Sequence, residues 1–199
     1  MKIRTATTVD PKSEVAIVLA LDGETPDGGP TLKTALAAAK ATGDIKTAFR
    51  SVAVFHPSGK GPRRLVTIGA GKQKDCDSER LRRLAAVAQS AGEDGGTDAF
   101  TLCIPVAAIG KLSAEQAGAL VAEGMVLGHY RYQPPQKEKP KARKGETATV
   151  VLVGGDHKAF ARGLALGLVD AQATVFARDL ENLPGNLCTP TTLAAASKK

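Results

Sequence analysis

At 199 residues with 43% hydrophobic and 24% charged composition, the chain can bury one core with a short appendage but not two full domains, and its make-up excludes a disordered or fibrous protein. Trp is absent and aromatics make up only 4%, so the layers are expected to pack through Val, Ile, Leu and Ala. Of the formal charge of +7, five cations (Lys137, Lys139, Lys141, Arg143 and Lys144) lie in one short stretch against the single acid Glu138, leaving only +3 elsewhere. That distribution excludes a broadly basic surface.

In chain order, the first strands are expected over Lys2 to Thr7 and Val15 to Leu21, the second an unbroken apolar run of the kind covered on both faces. Gly23 to Pro30 reads as a turn-rich connector. Thr31 to Thr42 places Leu32, Ala35, Leu36 and Ala39 on one helical stripe that Gly43 ends. Ser51 to His56 and Arg64 to Gly69 read as strands, with Gly69-Ala70-Gly71-Lys72 as the turn leaving the second. That turn lacks the spacing of a nucleotide-phosphate loop.

A second helix is expected over Ser78 to Ala91, with Leu81, Leu84, Ala85 and Ala88 on its buried face and Gly92 at its end. Ala99 to Pro105 is the fifth strand. Ser113 and Gln116 have capping-box spacing, and Ala117, Leu120, Val121, Gly124 and Leu127 carry a stripe toward Tyr130 and Tyr132. Pro134, Pro135 and Pro140 break this third helix into an exposed basic loop. Thr147 to Val153 is the sixth strand, Asp156 caps a helix from His157 to about Asn182, and Gly163 and Gly167 let another backbone approach it. Thr189 followed by Pro190 opens a last helix from Thr191 to Lys199.

Alternating strands and helices predict an α/β three-layer sandwich, a mixed sheet of about six strands between helices, with the long helix after residue 156 as a connector. The expected organisation is an α/β domain over residues 1–156 and a linker over 157–199.

Chemistry-bearing patterns are sparse. Cys76, Cys103 and Cys188 are scattered and odd in number, which points to free thiols. His56, His129 and His157 show no ligand spacing, and no nucleophile elbow occurs. The amino terminus lacks a signal-peptide core and no apolar run is long enough to span a membrane, so a cytoplasmic protein with no membrane partner is expected.

One stretch is far more specific: Ala177-Arg178-Asp179-Leu180-Glu181-Asn182-Leu183-Pro184-Gly185-Asn186-Leu187-Cys188-Thr189-Pro190-Thr191-Thr192-Leu193-Ala194. With its Arg178, Asp179, Leu180, Asn182, Pro184, Asn186, Thr189 and Pro190 it resembles the signature that joins the two domains of leucyl aminopeptidases. Arg63 to Lys72 and Ala122-Glu123-Gly124 through Tyr130-Arg131-Tyr132 are similar to further motifs of that family, and the basic loop falls where the family has a variable Lys-rich segment.

The resemblance implies an amino-terminal macro-like domain, a linker helix, and a separate catalytic domain. That domain binds two divalent metal ions, Mn or Zn, and removes amino-terminal residues, often leucine, from peptides. It also implies a cytoplasmic hexamer, with the chain's own catalytic domain as partner. The family's Asn-Thr-Asp-Ala-Glu-Gly-Arg motif is absent, so the chain itself is expected to be inactive and to hold no catalytic, cofactor or metal residue. Two alternatives accompany this: macro-like folds can bind ADP-ribose, and DNA binding occurs in some family members, here through Lys137, Lys139, Lys141, Arg143 and Lys144.

Overall fold

The computed structural model describes residues 1–58, 61–134 and 144–198. Six strands form one sheet in the order β1-β6-β5-β2-β4-β3: β1 (Lys2–Thr5), β2 (Val15–Leu21), β3 (Val52–Phe55), β4 (Arg64–Gly71), β5 (Ala99–Pro105) and β6 (Thr147–Val153). Only β3 runs antiparallel to its neighbour, so the sheet is mixed. Five helices accompany it: α1 (Lys33–Ala41), α2 (Ser78–Asp94), α3 (Ala114–His129), α4 (His157–Glu181) and α5 (Pro190–Ala196).

All seven residues of β2 are buried, because successive side chains point to opposite faces and both faces are covered. Val15, Ile17, Leu19 and Leu21 join Val66, Ile68, Phe100, Leu102, Val150 and Leu152 in the core beneath α2, α3 and the first half of α4. Ala16 and Val18 turn the other way and pack with Leu65, Cys103 and Val151 beneath Leu32, Ala35, Leu36 and Ala39 of the α1 segment. The sandwich expected from the sequence is therefore present, with three helices over one face and one over the other. Burial pushes the Cys103 thiol up to about 12, which leaves it an inert core residue.

The predicted caps form as read. Ser113 and Gln116 make a reciprocal capping box, Asp156 accepts N–H bonds from Lys158 and Ala159, and Thr189 caps α5 with Pro190 at its first position. Some boundaries differ. Helix α2 continues through Gly92 to Asp94, because Gly92 serves packing: a Cβ there would strike the Phe100 ring. Strand β4 holds Gly69 and Ala70 and turns only at Gly71, whose φ of +78° favours glycine. A 3-10 turn, Pro30–Leu32, precedes α1. Strand β1 ends at Thr5, and α3 ends at His129 with Tyr130 as its cap.

Helices α3 and α4 pack through glycine. A Cβ on Gly163 or Gly167 would collide with the backbone carbonyls of Glu115 or Ala119, and one on Gly118 with that of Phe160. The close backbone approach expected from Gly163 and Gly167 is thus made by α3. It brings Phe160 and Leu164 into the core, where full burial of a large apolar side chain stabilises by about 1.5–3 kcal/mol. The packing fixes the first half of α4 and leaves its second half projecting with the signature residues.

Candidate functional site: the junction of α3, α4 and α5

The end of α3 and the second half of α4 bring together two segments 49 residues apart. The Tyr130 hydroxyl donates to Asp179 Oδ1 at 2.9 Å, and the Arg178 guanidinium lies 5.8 Å from the centre of the Tyr130 ring. Asn182 Nδ2 donates to the Arg178 carbonyl at 2.7 Å and lies 3.5 Å from the Tyr130 oxygen. Partial loss of hydration, followed by the Asp179 carboxylate accepting its proton, raises the Tyr130 hydroxyl above its ordinary range. Tyr130, Arg178, Asp179 and Asn182 therefore form a latch that ties the end of α3 to the last turn of α4.

Beyond the latch, Leu187 and Cys188 donate to the Pro184 carbonyl, closing the turn that Pro184, Gly185 and Asn186 begin. Thr192 Oγ1 donates to the Leu187 carbonyl at 2.7 Å and Thr192 N–H to Thr189 Oγ1 at 3.3 Å, which ties α5 to that turn. Leu180 is half-buried, while Pro184, Asn186 and Pro190 are solvent-facing. Both halves of the latch lie in sequence motifs, Tyr130-Arg131-Tyr132 and the segment from Ala177 to Ala194. No local pattern says that Tyr130 reaches Asp179, because the contact depends on how α3 crosses α4.

Along α4 a second apolar stripe faces away from the core. Leu166, Val169 and Phe176 are 57%, 64% and 48% exposed, and Ala173 lies exposed between the last two. Their spacing of three, four and three residues puts all four on one side of the helix. Leu187 and Leu193, beyond the end of the helix, are exposed as well.

The other sequence candidates are separate. Lys137, Lys139, Lys141 and Arg143 lie outside the described residues. Lys144 Nζ sits 2.8 Å from Asp98 Oδ1, and that bond raises its ammonium above the usual lysine range. Glu123 of the Ala-Glu-Gly motif accepts from Arg82 Nε at 2.9 Å and joins α3 to α2, while a Cβ on its neighbour Gly124 would meet the Arg82 carbonyl. His129 Nδ1 lies 2.8 Å from Glu93 Oε1, in a structural cluster with the buried Gln89. Cys76, Cys103 and Cys188 are free thiols. Among the described residues no group of three or more His, Cys, Asp or Glu could hold a metal ion, and no helix is long and apolar enough to cross a membrane.

Residues 29–139 match the sequence model of the cytosol aminopeptidase family, N-terminal domain. The chain belongs to that family. It is 32% identical over 160 residues to a probable cytosol aminopeptidase of Roseiflexus castenholzii, an overlap covering 79% of this chain and 32% of the relative. Among solved structures, tomato leucine aminopeptidase is similar across 100% of this chain and 41% of that one, with a TM-score of 0.70 and 19% identity. The bottromycin maturation enzyme BotP, solved in complex with Mn, is similar over 94% of this chain and 35% of that one, with a TM-score of 0.68 and 24% identity. At those identities the two structures establish the shared α/β fold alone. The chain spans about a third of the length of the Roseiflexus relative, and the cytosol aminopeptidase match is to the family's amino-terminal domain.

Proposed function

We infer that this chain is the non-catalytic, assembly-directing domain of a two-metal leucyl aminopeptidase. The observation that carries the reading is the exposed Leu166, Val169, Ala173 and Phe176 stripe of α4. A solvent-facing apolar stripe on a helix already packed on its opposite side marks a surface built for another protein body. Its occupant is the catalytic domain of the same protein, because the stripe continues into the signature segment that joins the two domains in the family it resembles.

On this reading residues 1–156 are the α/β body and residues 157–199 lead into the catalytic domain, with the Tyr130 latch fixing the angle between them. The two divalent ions, Mn or Zn, belong to that second domain, where they would polarise water and the peptide carbonyl during removal of an amino-terminal residue. The residues of this chain contribute position: they hold the linker, bury one side of α4 and present the other. The whole enzyme is a cytoplasmic hexamer in which these domains shape access to the sites.

The test is intact mass spectrometry and native sizing of the protein from its source. A polypeptide well above 20.5 kDa that liberates leucine from a peptide in the presence of Mn supports the reading. A polypeptide of 20.5 kDa with no co-purifying aminopeptidase overturns it.

A further inference from the structure

The carboxyl ends of β2 and β4 border a cleft of about 490 Å³ that lies apart from the latch and from the exposed face of α4. Its position follows from the chain path. Neighbouring parallel strands β2 and β4 are followed by helices on opposite faces, α1 on one and α2 on the other. Helices leaving on opposite faces open a crevice outside the strand ends, the place where open α/β sheets bind ligands. The volume falls in the usual range for a small-molecule site.

The floor is rigid. Gly71 N–H donates to the Thr47 carbonyl at 2.9 Å, and Arg50 and Ser51 exchange backbone hydrogen bonds with Gly69, which clamps residues 47–51 onto the end of β4. Only glycine allows that approach, since a Cβ on Gly69 would collide with the Ala48 carbonyl. Arg50 is held at φ 66°, the sole non-glycine residue with positive φ among the described residues, and strain of this kind gathers around binding sites.

The walls are cationic. The Arg80 guanidinium lies over the Phe49 ring at 4.7 Å and 3.9 Å from Asp75, so it is pre-positioned. Asp22, the second acid of the cleft, accepts from Thr47 Oγ1 at 3.2 Å. Lys72 and Lys74 line the same cleft, and their side chains make no ion pair or hydrogen bond among the described residues. With Arg80, Lys72 and Lys74 against Asp22 and Asp75, the lining carries one net positive charge, and Lys72 and Lys74 are its cations without an ion-pair partner among the described residues.

We propose that the cleft between the ends of β2 and β4 binds a small polyanion, carrying phosphate or carboxylate groups, through Lys72, Lys74 and Arg80. Phe49 holds Arg80 in place, and the clamped 47–51 segment supplies the wall.

The experiment is calorimetric titration of the full 199-residue chain with pyrophosphate and, separately, with citrate. The double variant Lys72→Ser/Lys74→Ser and a control, Lys33→Ser/Lys158→Ser, remove equal charge from exposed positions in and away from the cleft. Binding of either probe that weakens about ten-fold or more in the first variant, as expected for loss of charge-assisted contacts, and stays unchanged in the second supports the site. The tighter probe then names the anionic group. No heat from either probe at millimolar concentration, or equal weakening in both variants, overturns the proposal. Circular dichroism of both variants establishes that each is folded.

Discussion

Asp156 shows how a single carboxylate can link the start of α4 to pH. Its side chain accepts from the Ala159 N–H at 3.0 Å and from the Lys158 N–H at 2.9 Å, two donors that the helix leaves unpaired. These bonds, the one from Ala159 foremost, hold the carboxyl below its ordinary value of 3.8, with Arg162 and Lys158 adding attraction. A depressed folded-state pKa means that the stabilisation is complete above the unfolded-state value and is lost as pH falls through the folded one. Asp156→Ala should therefore lower the melting temperature at neutral pH, and the gap from the unaltered protein should close as pH drops below about 4. Thermal melts of both proteins across that range check it, and a gap constant with pH would contradict the capping role. At the latch, Tyr130→Phe removes one donor from Asp179 while keeping the ring beneath Arg178. Loss of this one hydrogen bond to a charged group predicts only a small cost at so exposed a site. Chemical denaturation should register a small loss, while Tyr130→Ala, which also strips the ring from Arg178, should lose more.

Between α3 and α4 the deciding residues are small. An alanine in place of glycine inside a helix ordinarily stabilises by about 1 kcal/mol, but at Gly163 the new Cβ would meet the Glu115 backbone carbonyl, which cannot swing aside. Overpacking of this kind costs about 1–3 kcal/mol and occasionally more, so Gly163→Ala should be destabilising on balance. Gly185→Ala, with open space around the new methyl, should be near neutral. Equal melting temperatures for the two variants would show that α3 yields easily. The same helix pair shows what could be read from the chain. The glycine spacing at Gly163 and Gly167 announced a close approach, but it did not name α3 as the partner. Apolar runs located β2, β5 and β6 at their observed ends, since charged residues, Pro or Gly bound each of them. The glycines misled where packing used them: Gly92 was read as a stop, yet it lies inside α2 because the Phe100 ring needs its space. The latch and the cationic cleft were out of reach for a related reason. Tyr130 meets Asp179, and Lys72 meets the cleft beside Thr47, through crossings that no local periodicity encodes.

At the scale of the whole molecule, α4 has two roles that fall on opposite sides. One side closes the core over β1 and β6, with Phe160, Leu164 and Ala171 buried, while the other carries the outward apolar stripe and the last turn carries the latch. Substituting Val169 and Phe176 together by Ser should leave stability within about 0.5 kcal/mol, as exposed positions generally do, and on the proposed reading should loosen the docking of the catalytic domain on α4. Faster limited proteolysis at the junction in the full-length variant would detect that loss. Truncation tests the core role more directly. A chain ending at residue 156 keeps every strand but uncovers the sites of Phe160, Leu164 and Ala171. Emptying the Phe160 position alone predicts a loss of about 3–5 kcal/mol, a large part of the 5–15 kcal/mol that a domain commonly has in hand. A chain ending at residue 182 keeps that packing and the Tyr130 latch, so it should melt cooperatively and close to the full chain. If the 1–156 chain melted as sharply and as high as the 1–182 chain, the first half of α4 would be a linker lying on the body rather than part of its core.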